Sequence, residues 1–236
     1  MKNQGDEMEL KISAFFPAHN EEANVESLTR KLSNVLSGLC SDYEVIIVND
    51  GSTDRTKELS EALVKEDPHV RLVNHEVNKG YGAALKSGFY SCRFDWIFFT
   101  DGDNQFDAAE ISKLAELAGE NDFVAGFRMN RKDPFHRKLN AKMWGMLVNM
   151  LFRLNIKDVD CAFKLIKKEI VDKEKLIADG AMISTELLAR AKKGGYKIAQ
   201  VGVNHYPRTA GQQSGAKLSV ILKAFAELFR LYRKLK

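Results

Sequence analysis

Short apolar runs alternate with polar-faced helical stretches in the first half of this chain, which predicts an α/β fold with a mainly parallel central sheet flanked by helices. Three observations carry that expectation. The apolar runs Lys11–Phe16, Tyr43–Val48, Val70–Asn74, Trp96–Thr100 and Asp122–Ala125 have strand length and strand composition. The stretches between them, Glu21–Leu36, Asp54–Val64, Tyr81–Tyr90 and Ala108–Leu117, repeat their apolar residues with helical period. With 236 residues, 44% of them hydrophobic, the chain can bury the core of one large domain.

Each element delivers polar residues where ligands bind in such sheets, beyond the carboxyl ends of the strands. The first run ends in Pro17-Ala-His19-Asn20-Glu21, where His19 or Asn20 can cap the following helix. The second ends in Asn49-Asp50-Gly51-Ser52-Thr53-Asp54, a turn closing on a helix cap. After the third comes Asn78-Lys79-Gly80-Tyr81-Gly82, which opens like a dinucleotide fingerprint but has Leu85 at the third glycine position and follows the wrong strand. The fourth discharges into Asp101-Gly102-Asp103-Asn104-Gln105. Two carboxylates spaced i, i+2 at a strand exit suit a hard divalent cation that completes its shell with water and substrate phosphate. The competing reading is a helix cap and a turn aspartate.

The second half is read from its charge and apolar stripes. From Leu187 onward eleven Lys and Arg face Glu227 alone, so a net charge of only +4 conceals a basic end on an acidic remainder. No aromatic RNA platform or zinc finger accompanies that charge, so nucleic acid is not an expected partner; anionic lipid or phosphate substrates explain it as well. Leu218, Ile221, Leu222, Phe225, Leu228, Phe229 and Tyr232 form a helical stripe flanked by Lys and Arg, the pattern of a helix lying on an anionic leaflet or packing on the sheet. Leu139, Met143, Leu147, Met150, Leu151 and Leu154 form another. The uncharged run Met143–Phe152 is about half of the roughly 20 residues needed to span a bilayer. Cys40, Cys92 and Cys161 are scattered, with no Cys-x-x-Cys pair, which indicates neither a disulfide framework nor a zinc site and fits a reducing cytoplasm. Met1–Glu9 is polar and acidic, unlike a signal peptide, and is expected to be a flexible tail.

Taken together, Pro17–Glu21, Val48–Asp54, Asn78–Gly82, Asp101–Gln105, Gly126-Phe-Arg128 and Cys161-Ala-Phe-Lys164, in that order, resemble the family 2 glycosyltransferases of the GT-A fold, and among them the polyprenyl-phosphate sugar synthases typified by dolichol-phosphate mannose synthase. The resemblance implies a catalytic domain over residues 10–216, with residues 217–236 as a separate amphipathic helix. It implies that Pro17, His19, Glu21, Asp50, Lys79, Asp101, Gly102 and Arg208 bind a GDP- or UDP-sugar. Asp101 and Asp103 would handle Mg²⁺ or Mn²⁺ on the diphosphate, and Gln105 would lie by the transferred sugar. Arg128 and Arg137 would meet donor and acceptor phosphates.

The implied reaction is inverting transfer to a polyprenyl (dolichyl or undecaprenyl) phosphate by an enzyme peripheral to the cytoplasmic membrane face, with a second copy or a membrane protein left open as partner. A phosphate nucleophile is already anionic, so orientation can suffice; a hydroxyl acceptor would need a base, and Glu186, Asp179 and Asp160 are the candidates. A saccharide or protein hydroxyl is therefore the alternative acceptor. A non-catalytic sugar-nucleotide-binding partner is the third reading, opposed by the intact Asp101, Asp103 and Gln105. Three departures from the family's habit are Asn49 for an aspartate, His19 for an aromatic, and Ala141 for a serine one turn after Arg137.

Overall fold

The computed structural model describes residues 10–129, 135–173, 175–178, 180, 182–208 and 218–235, with side chains described at all of these except residues 135–140 and 218–223. Its centre is a seven-stranded sheet of β1 (Lys11–Ala18), β2 (Asp42–Asp50), β3 (Val70–His75), β4 (Trp96–Thr100), β5 (Phe123–Met129), β6 (Phe163–Lys167) and β7 (Ile198–Asn204), ordered β3-β2-β1-β4-β6-β5-β7. The helices are α1 (Val25–Leu39), α2 (Thr56–Glu66), α3 (Tyr81–Ser91), α4 (Ile111–Ala115), α5 (Phe135–Phe152), the short α6 (Glu169–Asp172), α7 (Met182–Lys193) and α8 (Leu218–Leu235).

Strand pleating explains why both faces are covered. Phe15, Ile46, Val48, Ile97 and Phe99 point to one face, against α3, α5, α7 and α8. Their neighbours Phe16, Val45, Ile47 and Phe98 point to the other, against α1 and α4. Phe15, Phe89 and Phe99 meet edge-to-face or stacked at centroid separations of 4.8–5.8 Å. Buried on both sides, these strands read as continuous apolar runs, which is why sequence located them.

The sheet departs from the expected run of parallel strands at β6, which lies antiparallel between β4 and β5. Its sequence, Phe163-Lys-Leu-Ile-Lys167, carries two lysines and gives no clean apolar run. Lys164 is nevertheless fully buried, donating to the carbonyls of Val159 (3.2 Å) and Cys161 and to Ser184 Oγ (3.4 Å). Burial pulls its pKa below the ordinary lysine value, while those acceptors stabilise the ammonium.

Two helix starts are corrections. The helix after β1 begins at Val25, not Glu21, so Glu21 occupies the turn before it. The sequence also suggests that Ser184 or Thr185 opens a helix with Glu186 at its positive end, but that helix begins at Met182. Of the two readings open for the α8 stripe, part is core: Leu228 and Leu231 are buried with α5 and α7, while Phe225 meets Trp144 and Tyr232 meets Phe152 edge-to-face. Among the described residues no helix is long and apolar enough to cross a membrane.

Candidate functional site

The carboxyl ends of β1, β2 and β4 open into a cavity of about 800 Å³ lined by backbone and side chains from all three exits, the start of α3, and Arg208. The β1 and β2 exits are laced together by hydrogen bonds between their two loops. Asn20, with φ +57°, donates its backbone N–H to Ser52 Oγ at 3.0 Å and accepts from Thr53 N at 2.8 Å. Asparagine tolerates this left-handed conformation because its short amide bonds locally. Glu21 N donates to Thr56 Oγ1 at 2.9 Å, and His19 Nδ1 donates to the Asp50 carbonyl at 2.8 Å. Gly51, at φ +62°, lets the Val77–Asn78 backbone pass: a Cβ there would stand 2.3 Å from it.

Asp50 lines the cavity, but its carboxylate is largely committed. It accepts from the backbone N–H of Lys79 (2.9 Å) and Gly80 (2.8 Å) and from His75 Nδ1 (2.7 Å). Asn49, where the family resemblance implied an aspartate, is buried and donates to Asn74 Oδ1 on the neighbouring strand at 2.6 Å. An aspartate at that position would place a carboxylate against an amide oxygen unless the Asn74 amide turned over.

The β4 exit supplies the negative charge. Gly102 passes so close to β1 that a Cβ would lie 2.3 Å from the Pro17 carbonyl oxygen. Asp101 accepts from the Tyr81 hydroxyl at 2.9 Å, and burial together with Asp103 pushes its carboxyl up to about 6. Although Tyr81 is 40% exposed overall, desolvation of its phenol in the cavity and the Asp101 carboxylate hold that phenol well above its ordinary value, so it remains a donor. Asp103 accepts from Gln105 N at 3.2 Å through one oxygen, and the other lies 3.9 Å from Arg208. Among the described residues no group of three or more His, Cys, Asp or Glu is placed to enclose a metal. Two crowded carboxylates, one with a raised pKa, fit a hard divalent ion that takes its remaining ligands from a diphosphate and water.

Arg208 reaches the cavity by a ladder of contacts along the chain beyond β7. Asn204 N donates to Glu110 Oε2 at 2.6 Å, His205 pairs across an isolated bridge with Phe106, and Tyr206 N donates to the Gln105 carbonyl at 2.8 Å. Arg208 then donates to Glu21 Oε1, while the other Glu21 oxygen accepts from Asn24 at 2.7 Å. Its guanidinium thus bridges carboxylates delivered by β1 and β4, where a phosphate-bearing ligand would compete for it.

Of the residues singled out from sequence, Pro17, His19, Glu21, Asp50, Asp101, Gly102, Asp103 and Arg208 converge on this cavity. Five others whose side chains are described, Lys79, Gln105, Arg128, Asp160 and Glu186, are not in its lining. The Lys79 side chain is exposed, and its backbone N–H serves Asp50 while Asn78 takes the lining position. Gln105 braces the Arg208 segment, donating from Nε2 to the Tyr206 carbonyl at 2.7 Å. Arg128 forks onto Asp158 through bonds of 2.7 and 2.8 Å, a pairing that raises its pKa further, although Arg128 is near enough to lower that of Asp101.

Glu186 is fully buried, accepting from the backbone N–H of Ile177 (3.0 Å) and Ala178 (2.8 Å) and from Arg190 (2.6 and 2.8 Å). Its carboxylate, expected as a base only for a hydroxyl acceptor, anchors the segment before α7 and is absent from the cavity lining. Arg137 lies on α5 where side chains are outside the described set, and Asp179 is outside it altogether. Sequence reasoning missed Ala18, Asn20, Asn78, Tyr81 and Ala84 as lining residues. Tyr81 was signalled only by its place just after Gly80, at a helix start beside a strand exit.

Comparison with known proteins adds an independent line. The profile described as "Glycosyl transferase family 2" matches residues 13–174. A dolichol-phosphate mannosyltransferase of Pyrococcus furiosus is 30% identical over 233 residues, covering 95% of this chain and 64% of that protein. An undecaprenyl-phosphate 4-deoxy-4-formamido-L-arabinose transferase of Aeromonas hydrophila is 32% identical over 165 residues, covering 68% and 50%. The glycosyltransferase AglD of Haloferax volcanii is 28% identical over 209 residues, covering 84% and 34%. The chain therefore spans between about a third and two thirds of the length of these relatives. Among solved structures, the glucosyl-3-phosphoglycerate synthase of Mycobacterium tuberculosis in complex with Mn²⁺ and UDP-glucose superposes with a TM-score of 0.72 at 22% identity, covering 94% of this chain and 79% of that one. That likeness shows a shared fold.

Proposed function

This chain belongs to glycosyl transferase family 2, and from that premise we propose that it transfers a sugar, with inversion, from a GDP- or UDP-sugar to a polyprenyl phosphate. The observation that carries the reading is the cavity itself: Asp101 and Asp103 on one wall, Glu21 and Asp50 on another, and Arg208 between them. The acceptor class is supported by relatives whose names specify dolichyl or undecaprenyl phosphate.

In the proposed reaction an acceptor phosphate oxygen attacks the anomeric carbon from the face opposite the donor diphosphate. A new C–O bond forms as the old one breaks, and the electron pair leaves with the nucleoside diphosphate. Mg²⁺ or Mn²⁺ held by Asp101 and Asp103 would supply positive charge to that leaving group. Arg208 is placed to follow the same charge by exchanging Glu21 for phosphate oxygens. Asp50, His19 and Asn78 form the part of the cavity assigned to base and ribose. Arg137 is assigned the acceptor phosphate. A phosphate acceptor carries no proton that must be removed, in keeping with a Glu186 wholly occupied by four donors.

Placement on the cytoplasmic membrane face is part of the proposal. Met143, Met146 and Met150 on α5 are 61–70% exposed, Phe229 on α8 is 60% exposed, and Arg230, Arg233 and Lys234 are also exposed on α8. Apolar and basic groups displayed together suit an anionic leaflet. Offering the purified protein a panel of labelled GDP- and UDP-sugars with either polyprenyl phosphate or a saccharide tests the acceptor. Label is expected in the lipid product; label only in saccharide would overturn the assignment.

A further inference from the structure

We propose that His75 is a positioning residue for nucleotide binding, acting through Asp50 on the backbone at Lys79 and Gly80. This rests on reading the cavity as the sugar-nucleotide site. Parallel pairing of β2 and β3 sets Asp50 beside His75. Both side chains are nearly excluded from solvent, at 4% and 6% exposure. His75 Nδ1 donates to Asp50 Oδ1 at 2.7 Å, and at 2.8 Å its Nε2 meets Ser87 Oγ on α3. With Nδ1–H committed to the carboxylate, Nε2 is left to pair with the serine hydroxyl.

The arrangement has the members of a nucleophilic triad but not its placement. Ser87 and His75 are absent from the cavity lining, and the remaining bonds of Asp50 go to the N–H groups of Lys79 and Gly80. The chain of contacts therefore runs from the side of α3 through the imidazole and carboxylate to the turn from which α3 starts. That turn supplies Asn78 and Tyr81 to the cavity, and Tyr81 holds Asp101. Without the imidazole, Asp50 loses the partner that fixes its rotation, and the Asn78–Tyr81 backbone loses its template. The expected cost falls on ground-state donor binding, because His75 touches no reacting atom.

The test uses the full chain, with UDP and GDP in the presence of Mn²⁺ as calorimetric probes and donor KM and kcat as kinetic ones. His75→Leu is expected to weaken binding of the preferred nucleotide and raise donor KM about tenfold, with kcat changed less than about twofold. His75→Asn, which restores an N–H toward Asp50, is expected to recover affinity to within about threefold. Ser87→Ala is expected to raise KM about threefold at unchanged thermal midpoint, and it decides the matter where His75→Leu does not fold. Wild-type affinity and KM in the deciding variant would overturn the role of His75 while leaving the proposed reaction standing. Absence of UDP and GDP binding by the wild-type chain would overturn both.

Discussion

Asp101 and Gly102 show how single residues at the β4 exit set what the cavity can hold. With its carboxyl pushed up to about 6, Asp101 is ionised at neutral pH and becomes protonated as pH falls through that value. A proton and a divalent ion compete for the same oxygen, so Mn²⁺ affinity in the presence of UDP is expected to be flat above about pH 7 and to fall up to about tenfold per pH unit below 6. Titrations monitored by Mn²⁺ resonance would check this, and affinity unchanged down to pH 5 would contradict it. At Gly102 an added Cβ would meet the Pro17 carbonyl oxygen at 2.3 Å, forcing the β1 and β4 exits apart. Gly102→Ala is expected to cost about 1–3 kcal/mol of stability and to weaken nucleotide binding, measured by denaturant unfolding and calorimetry. The paired aspartates were legible because their spacing at a strand exit is local. The partners of Arg208 were not, because Glu21 stands 187 positions away and only the fold brings the two together.

Among the elements, β1, β2 and β4 were legible for the same reason that they are buried: each is a short apolar run ending in polar residues. β6 was not, since Lys164 has its ammonium satisfied by two carbonyls and Ser184, a solution invisible to hydrophobic periodicity. The α7 element shows the converse failure. Glu186 resembles a first-turn acid in sequence, yet the helix starts earlier and tucks the carboxylate against Ile177, Ala178 and Arg190. Glu186→Gln is expected to destabilise the protein by about 3 kcal/mol, because Arg190 would lose its anionic partner in a buried setting. The folded enzyme should retain most of its turnover. A variant of normal stability that has lost catalysis would restore Glu186 to the chemistry.

At the scale of the whole molecule, α8 carries both core and exposed residues. Leu228 and Leu231 belong to the core shared with α5 and α7, so truncation before residue 218 is expected to give aggregated or unfolded protein. The outward residues are separable from that role. Met146→Glu combined with Phe229→Glu, at positions 63% and 60% exposed, should leave thermal unfolding nearly unchanged while lowering binding to anionic vesicles about tenfold. Vesicle binding of the native chain should also weaken with salt, as screening over roughly 10 Å at 0.1 M reduces the contribution of Arg230, Arg233 and Lys234. Equal vesicle binding by the double variant would remove these side chains from the membrane account. The central claim, that Asp101 and Asp103 organise transfer from a nucleotide sugar to a polyprenyl phosphate, is tested most directly by following label from the donor into lipid with native protein, with excess chelator and with Asp103→Asn. Transfer by the native chain and a loss of at least about 100-fold in the other two, with the variant still folded, are expected; undiminished transfer in chelator and in Asp103→Asn would overturn the assignment of Asp101 and Asp103.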